Sequence, residues 1–216
     1  MVNKWRLLIL ICGWMFLSIL PIGMNVTAKE QYIIWLAIQN LWLIIVGYWT
    51  LRQAGPICQW RITDIAWGVG VGIALFIGIN ILNLAIISIL SCIFGVDRII
   101  NVLAQEQAGI NLLLEIKAGA WAWLTRGLII IGAPIGEELL FRGALLTALN
   151  EKTTVKRAVL FSALCFAIAH FYVIQFIPVL VSGIILGWLY AVKRNILQPI
   201  AAHITVNTLA WLIYIL

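Results

Sequence analysis

Residues 65–94 read IAWGVGVGIALFIGINILNLAIISILSCIF, a long run without a single charged side chain. A helix needs about 20 predominantly apolar residues to cross the hydrocarbon core of a bilayer. This run is too long for a perpendicular span and too short for a comfortable hairpin of two spans. It therefore predicts one membrane helix that is tilted or bent.

The composition extends this prediction to the whole chain. Of its 216 residues, 64% are hydrophobic and 10% are charged, against roughly 45–50% and about 25% in soluble domains. A water-soluble globule is excluded, and residues 1–216 are predicted to form a single integral membrane domain. The net charge of +6 comes from basic residues in short loops between apolar runs, which indicates membrane orientation and not nucleic-acid binding.

The apolar runs predict an all-α polytopic bundle of about seven transmembrane helices. The predicted spans lie near 7–24, 32–51, 65–94, 120–149, 158–177, 178–192 and 196–215. Residues 98–117 mix charged and aliphatic side chains, which favours an amphipathic segment at the membrane interface.

The lysines and arginines of alternate loops predict the orientation, because basic loops stay in the cytoplasm. One side collects nine of them, namely Lys4, Arg6, Arg52, Arg61, Lys152, Lys156, Arg157, Lys193 and Arg194. The other side has Lys29, Arg98 and Lys117. This asymmetry predicts a cytoplasmic N-terminus.

The four cysteines are far apart and form no CxxC pair. Their spacing signals neither a disulfide framework nor a thiolate zinc site. Cys12, Cys58, Cys92 and Cys165 are therefore interpreted as small hydrophobic side chains.

Several polar residues lie inside the apolar runs, where each costs several kcal/mol unless it is paired or faces a wet cavity. They are Arg126, Glu137, Glu138, Arg142, His170, His203 and Asn207. At about 1.5 Å per helical residue, Glu137 and His170 lie roughly 18 Å from the predicted cytoplasmic ends of their spans, Asn207 roughly 16 Å and His203 roughly 10 Å. The sequence thus predicts that these four side chains meet in a polar cavity facing the cytoplasm. Arg126 lies near the outer end of its span and is predicted to snorkel to the headgroups.

Residues four apart share one face of a helix. Glu138 and Arg142 have this spacing and are predicted to form a buried pair, which leaves the carboxylate of Glu137 free for chemistry. Phe166 and His170 have the same spacing, as do His203 and Asn207. Pro134, between two glycines, is predicted to kink or loosen the helix just before the glutamates.

These residues resemble a known family. Glu137, Glu138 and Arg142 fit EExxxR, Phe166 and His170 fit FxxxH, and His203 and Asn207 fit HxxxN. In this order they are similar to the motifs of the CAAX protease and bacteriocin-processing family of intramembrane proteases, which includes the Rce1-type CAAX endopeptidases. Residues 120–216 would then be the catalytic core, and residues 1–119 would be variable N-terminal spans without a matching motif.

The resemblance implies a glutamate protease that cleaves a peptide bond within the membrane. Glu137, helped by His170, would take a proton from the attacking water, and His203 and Asn207 would stabilise the oxyanion. Glu138, Arg142 and Phe166 would support these groups, with no cofactor. The partners would be membrane lipid and a membrane-associated or lipidated peptide. The resemblance implies prenylated CAAX-terminated proteins, leader peptides of bacteriocins or other membrane-anchored peptides as substrates. The compact chain is more like a bacterial cell-membrane protein, which favours leader-peptide processing or self-immunity.

Three alternatives stay open at this point. Glu137, His170 and His203 would supply two nitrogens and one oxygen to a zinc ion in a metalloprotease. Buried Glu and His residues also occur as proton relays in transporters. A membrane scaffold that regulates a partner without cleaving it is the third alternative.

Overall fold

A computed structural model describes residues 2–23, 29–52, 61–116 and 118–215. Every regular element within these ranges is a helix, as the sequence predicts for an all-α membrane protein. Cys12, Cys92 and Cys165 are free thiols. Cys58 and Lys117, which entered the sequence predictions, lie outside the described residues.

Eight helices follow one another along the described chain. Seven are regular: α1 Lys4–Gly23, α2 Lys29–Leu51, α3 Ile62–Phe94, α4 Val96–Leu114, α6 Val155–Ala169, α7 Phe176–Lys193 and α8 Leu197–Ile215. The long helix α5 is continuous over five segments: Ala120–Gly127, the π-helical Leu128–Gly132, Ala133–Glu138, the π-helical Leu139–Leu146, and Thr147–Asn150.

Three of the described helices, α2, α3 and α7, are both long enough and apolar enough to cross a bilayer. The protein is therefore an integral membrane protein, whereas the number of seven spans stays a prediction. The predicted amphipathic segment 98–117 falls largely on the helix α4. The predicted fifth span, 158–177, is wrong at its end, because α6 stops at Ala169 and Phe171 adopts a left-handed φ of 56° that a helix cannot contain.

The helix ends that flank the predicted cytoplasmic loops lie at one end of the bundle. The backbone N–H of Val2 donates to Glu151 at 2.9 Å, and Lys193 lies 3.4 Å from the carboxylate of Asp64. These contacts place the start of α1 beside the end of α5, and the start of α3 beside the end of α7. We call this end of the bundle the basic face.

The apolar core surrounds the second half of α5. Leu140 and Phe141 are buried there together with Leu10 of α1, Leu51 of α2 and Tyr190 of α7. Because Leu140 and Phe141 lie just after Glu137 and Glu138 in α5, packing of the core fixes the rotation of α5 about its axis. The rotation in turn determines where the glutamate side chains point.

Close packing of α3 on α8 fixes the position of the helix that carries His203. The two helices approach so closely that a Cβ at Gly72 would lie 2.6 Å from the carbonyl oxygen of Ala202 and 2.7 Å from the Cβ of Thr205. Only glycine allows this approach without moving the backbone of one helix.

We expect Gly72→Val to destabilise the protein by about 1–3 kcal/mol, the usual cost of overpacking. Gly70→Val is the matched control, since a Cβ at Gly70 meets no atom within 4 Å. Thermal unfolding in detergent compares the two variants. Equal midpoints would contradict the tight contact between α3 and α8.

Candidate active site

Glu137, His170, His203 and Asn207 line one cavity of about 590 Å³. They come from α5, from the end of α6 and, for the last two, from α8. The structure thus brings together the four side chains that the sequence predicts to meet. Their roles in a reaction stay predictions at this point.

Glu138 and Arg142 form the buried pair that their spacing predicts. Arg142 Nη1 donates to Glu138 Oε1 at 2.9 Å, and both side chains are completely buried. Arg142 Nη2 donates to the carbonyl of Gly183 at 3.2 Å, and its guanidinium carbon lies 4.3 Å from the ring centroid of Phe166. The charge of Glu138 is therefore neutralised inside the bundle.

His203 lies between the two adjacent glutamates. Its Nδ1 is 2.9 Å from Glu138 Oε1, and its Nε2 is 3.8 Å from Glu137 Oε2. Because the carboxylate oxygen of Glu138 accepts, Nδ1 carries a proton and Nε2 is the nitrogen directed toward Glu137. Sequence reasoning paired Glu138 with Arg142 alone and missed that Glu138 also orients His203.

His170 lies at the C-terminal end of α6, and not within a continuing helix as the predicted span 158–177 required. Its Nδ1 is 2.8 Å from the carbonyl oxygen of Phe166. A carbonyl only accepts, so Nδ1 donates and the neutral ring keeps a basic lone pair on Nε2. The ring of Phe166 contacts both histidines, at centroid distances of 4.6 Å from His170 and 5.9 Å from His203.

The side chain of Asn207 binds a carbonyl group that the backbone hydrogen bonds of α5 leave free. In the π-helical segment Leu128–Gly132 the N–H of Ala133 donates to the carbonyl five residues earlier. The next donor in this register would be Pro134, which has no N–H, so the carbonyl of Ile129 loses its partner. Asn207 Nδ2 donates to that carbonyl at 3.0 Å. Pro134 therefore loosens α5, as predicted, and the freed carbonyl fixes the amide of Asn207.

A second π-helical segment, Leu139–Leu146, follows the glutamates directly. The hydroxyl of Ser162 donates to the carbonyl of Phe141 at 2.7 Å, and that of Thr147 to the carbonyl of Arg142 at 3.4 Å. Carbonyls in a widened turn are thus satisfied by side chains. Sequence reasoning missed both hydroxyl groups, because neither belongs to a motif.

The cavity extends away from the basic face. Its lining on α8 runs from His203 to Tyr214, and on α5 from Arg126 to Glu137. The sequence predicts both a cytoplasmic basic face and a cavity that faces the cytoplasm. The side of the membrane from which the cavity is reached stays a prediction.

Two further side chains of the cavity wall, Tyr172 and Arg126, were not predicted from the sequence to line the cavity. The ring of Tyr172 lies 5.7 Å from that of His170. The guanidinium of Arg126 lies in the wall, 5.2 Å from the ring centroid of Trp123 and 5.7 Å from that of Trp211. Arg126 thus takes part in the cavity, which the prediction of a snorkelling arginine did not include.

The fold and the site together define an all-α membrane protein with carboxylate, imidazole and amide groups around an internal cavity. Residues 119–209 match the family described as type II CAAX prenyl endopeptidase Rce1-like. For this part of the chain, the resemblance to the CAAX protease and bacteriocin-processing family is confirmed.

A curated relative supports the same classification. The chain is 38% identical over 79 residues to a Bacillus subtilis protein named "Putative membrane peptidase YdiL". The match covers 37% of this chain and 32% of the relative, so the chain spans about a third of the relative's length. No solved structure gives a significant match to the chain.

Proposed function

We propose that the protein is an intramembrane endopeptidase that hydrolyses a peptide bond with Glu137 as the general base. The observation that carries this proposal is that the adjacent carboxylates of Glu137 and Glu138 have different surroundings. Glu138 is neutralised by Arg142 and bound to His203, whereas Glu137 lines the cavity with its side chain 23% exposed. A carboxylate that faces the cavity and is not paired with Arg142 is suited to accept a proton.

In the proposed first step, a water molecule attacks the scissile carbonyl carbon and gives a proton to the carboxylate of Glu137. The Nε2 lone pair of His170 accepts a hydrogen bond from the same water and orients it. Collapse of the tetrahedral intermediate breaks the C–N bond, and the proton held by Glu137 passes to the leaving amine. Water is consumed, and the products are a carboxylic acid and an amine.

The oxyanion of the intermediate requires donors on the α8 side of the cavity. His203 is held through Nδ1 by Glu138 and directs Nε2 toward Glu137, and we assign this nitrogen to the oxyanion. Asn207 uses one amide hydrogen for the carbonyl of Ile129 and has a second for the oxyanion. Each donor of this kind contributes about 2.7–4 kcal/mol in studied hydrolases.

We propose a peptide of a membrane-associated or lipidated protein as the substrate, and leader-peptide processing or self-immunity in a bacterial cell membrane as the context. The name of the curated relative and the Rce1-like match support a membrane peptidase in general. The apolar wall of the cavity, which includes Leu75, Ile79 and Leu186, suits an apolar segment.

We propose a metal-free mechanism. Among the described residues, no group of three His, Cys, Asp or Glu side chains is arranged to hold a metal ion. A zinc ion would need an oxygen of Glu137 and a ring nitrogen from each of His170 and His203 to converge on one point, and these side chains are not so arranged. The zinc-dependent alternative is nevertheless a separate arm of the test.

Cleavage with and without metal tests the proposed function. The purified protein is incubated with a mixture of hydrophobic and lipidated peptides, in EDTA or in added zinc, and new termini are read by mass spectrometry. We expect cleavage at equal rates in both conditions. Cleavage only with zinc would support the metalloprotease, and absence of cleavage in both conditions would contradict the proposed substrate class.

A further inference from the structure

A carboxylate outside the matched region binds the loop that follows His170. Glu106 of α4 accepts the backbone N–H groups of Val173 and Ile174 through Oε1, at 2.6 and 2.8 Å. Hydrogen bonds from N–H groups to a carboxylate are stronger than those to a neutral acceptor. The other oxygen, Oε2, is buried and accepts no hydrogen bond in the described part of the chain. Among the described residues, the hydrogen bonds of this carboxylate therefore go to the loop alone.

The loop it binds, residues 171–175, directly follows His170. The helix ends at Ala169, and Phe171 adopts a φ of 56°. A bulky residue in this left-handed conformation is strained and persists only where its surroundings hold it. Phe171 is 87% exposed, so packing of its own side chain supplies little of that constraint.

We propose that Glu106 is a positioning residue for the proposed reaction. By fixing the backbone at Val173 and Ile174, it holds the strained turn that places Nε2 of His170 in the cavity. This inference rests on the proposed function, in which His170 orients the water.

The same contact couples α4 to the candidate site. Gln107 and Asn111 of α4 line the cavity beside Glu106, and the far end of the helix is tied to α2 by the ion pair of Lys29 with Glu115. Helix α4 therefore forms one wall of the cavity and also binds the loop that follows His170. The shape of this wall and the position of His170 therefore both depend on the placement of α4.

Hydrogen exchange and kinetics on Glu106 variants test this inference. In Glu106→Ala we expect the amides of Val173 and Ile174 to exchange faster, while those of α3 and α8 are unchanged. We expect kcat to fall about tenfold with KM within about twofold, because a misplaced catalytic group slows the chemical step. Glu106→Gln should recover part of the rate, since its amide oxygen still accepts. Asp97→Asn, an exposed acid in the first turn of the same helix, is the matched control.

A double variant separates a positioning role from a general loss of structure. If Glu106 acts through His170, Glu106→Ala should lower kcat by less than about twofold in a His170→Ala background. An equal loss in both backgrounds, unchanged loop exchange, or an unchanged kcat would each overturn the positioning role. Full activity of His170→Ala would overturn the role assigned to His170 in the proposed function, and the positioning role with it. Loss in His170→Ala with none in Glu106→Ala would overturn the positioning role alone.

Discussion

Replacement of Glu137 by glutamine is expected to lower kcat/KM by about 10²–10⁴-fold, the usual contribution of a general base. Glutamine keeps the size and polarity of the side chain but does not take up a proton from water. The side chain is partly exposed in the cavity and makes no fixed ion pair with Arg142, so the fold should not change. Initial rates of peptide cleavage give the rate loss, and thermal unfolding in detergent reports the fold.

Glu30→Gln is the matched control for this prediction, since Glu30 is an exposed acid in the first turn of α2. It should cleave at the rate of the unmodified protein. Undiminished cleavage by Glu137→Gln would remove Glu137 as the base, and with it the mechanism proposed above. A large fall in the unfolding midpoint of Glu137→Gln would instead assign that residue to the fold.

The second large effect is expected at Arg142, and it concerns stability. Replacing Arg142 by methionine leaves the buried carboxylate of Glu138 without its counter-charge, which costs about 3–5 kcal/mol in studied proteins. The change also removes the hydrogen bond to the carbonyl of Gly183. We expect a strongly reduced yield of folded protein and a lower unfolding midpoint in detergent.

Two comparisons make this prediction specific. Arg157→Met removes an exposed arginine at the start of α6 and should change stability by no more than about 0.5 kcal/mol. The double variant Glu138→Gln with Arg142→Met removes both charges and should recover a large part of the lost stability. Wild-type stability in Arg142→Met alone would show that the pair does not support the fold.

Much of the fold was predictable because the membrane imposes one dominant rule. Backbone groups inside the hydrocarbon region must be hydrogen-bonded within the protein, and a helix achieves this within one segment, so an uninterrupted apolar run as long as residues 65–94 is expected to be helical. The end of α6 was not predictable in this way. Its break at Phe171 depends on a backbone conformation that the apolar pattern 158–177 does not reveal.

The candidate site was predictable to the extent that it depends on spacing within single helices. The contact of Glu138 with Arg142 follows from their separation of four residues. The contact of Asn207 with Ile129 joins two helices and depends on the carbonyl that Pro134 leaves free. No spacing within α8 indicates such a partner.

By itself, the sequence determined that this is an all-α membrane protein and which residues form the motifs, because these follow from composition and from distances along one chain segment. Only the tertiary structure decided that Glu138 orients His203, that Glu106 holds the loop after His170, and that the cavity extends away from the basic face. The physical reason is that these contacts join residues far apart in the chain. Their distances depend on how each helix is rotated and how deeply it packs against its neighbours.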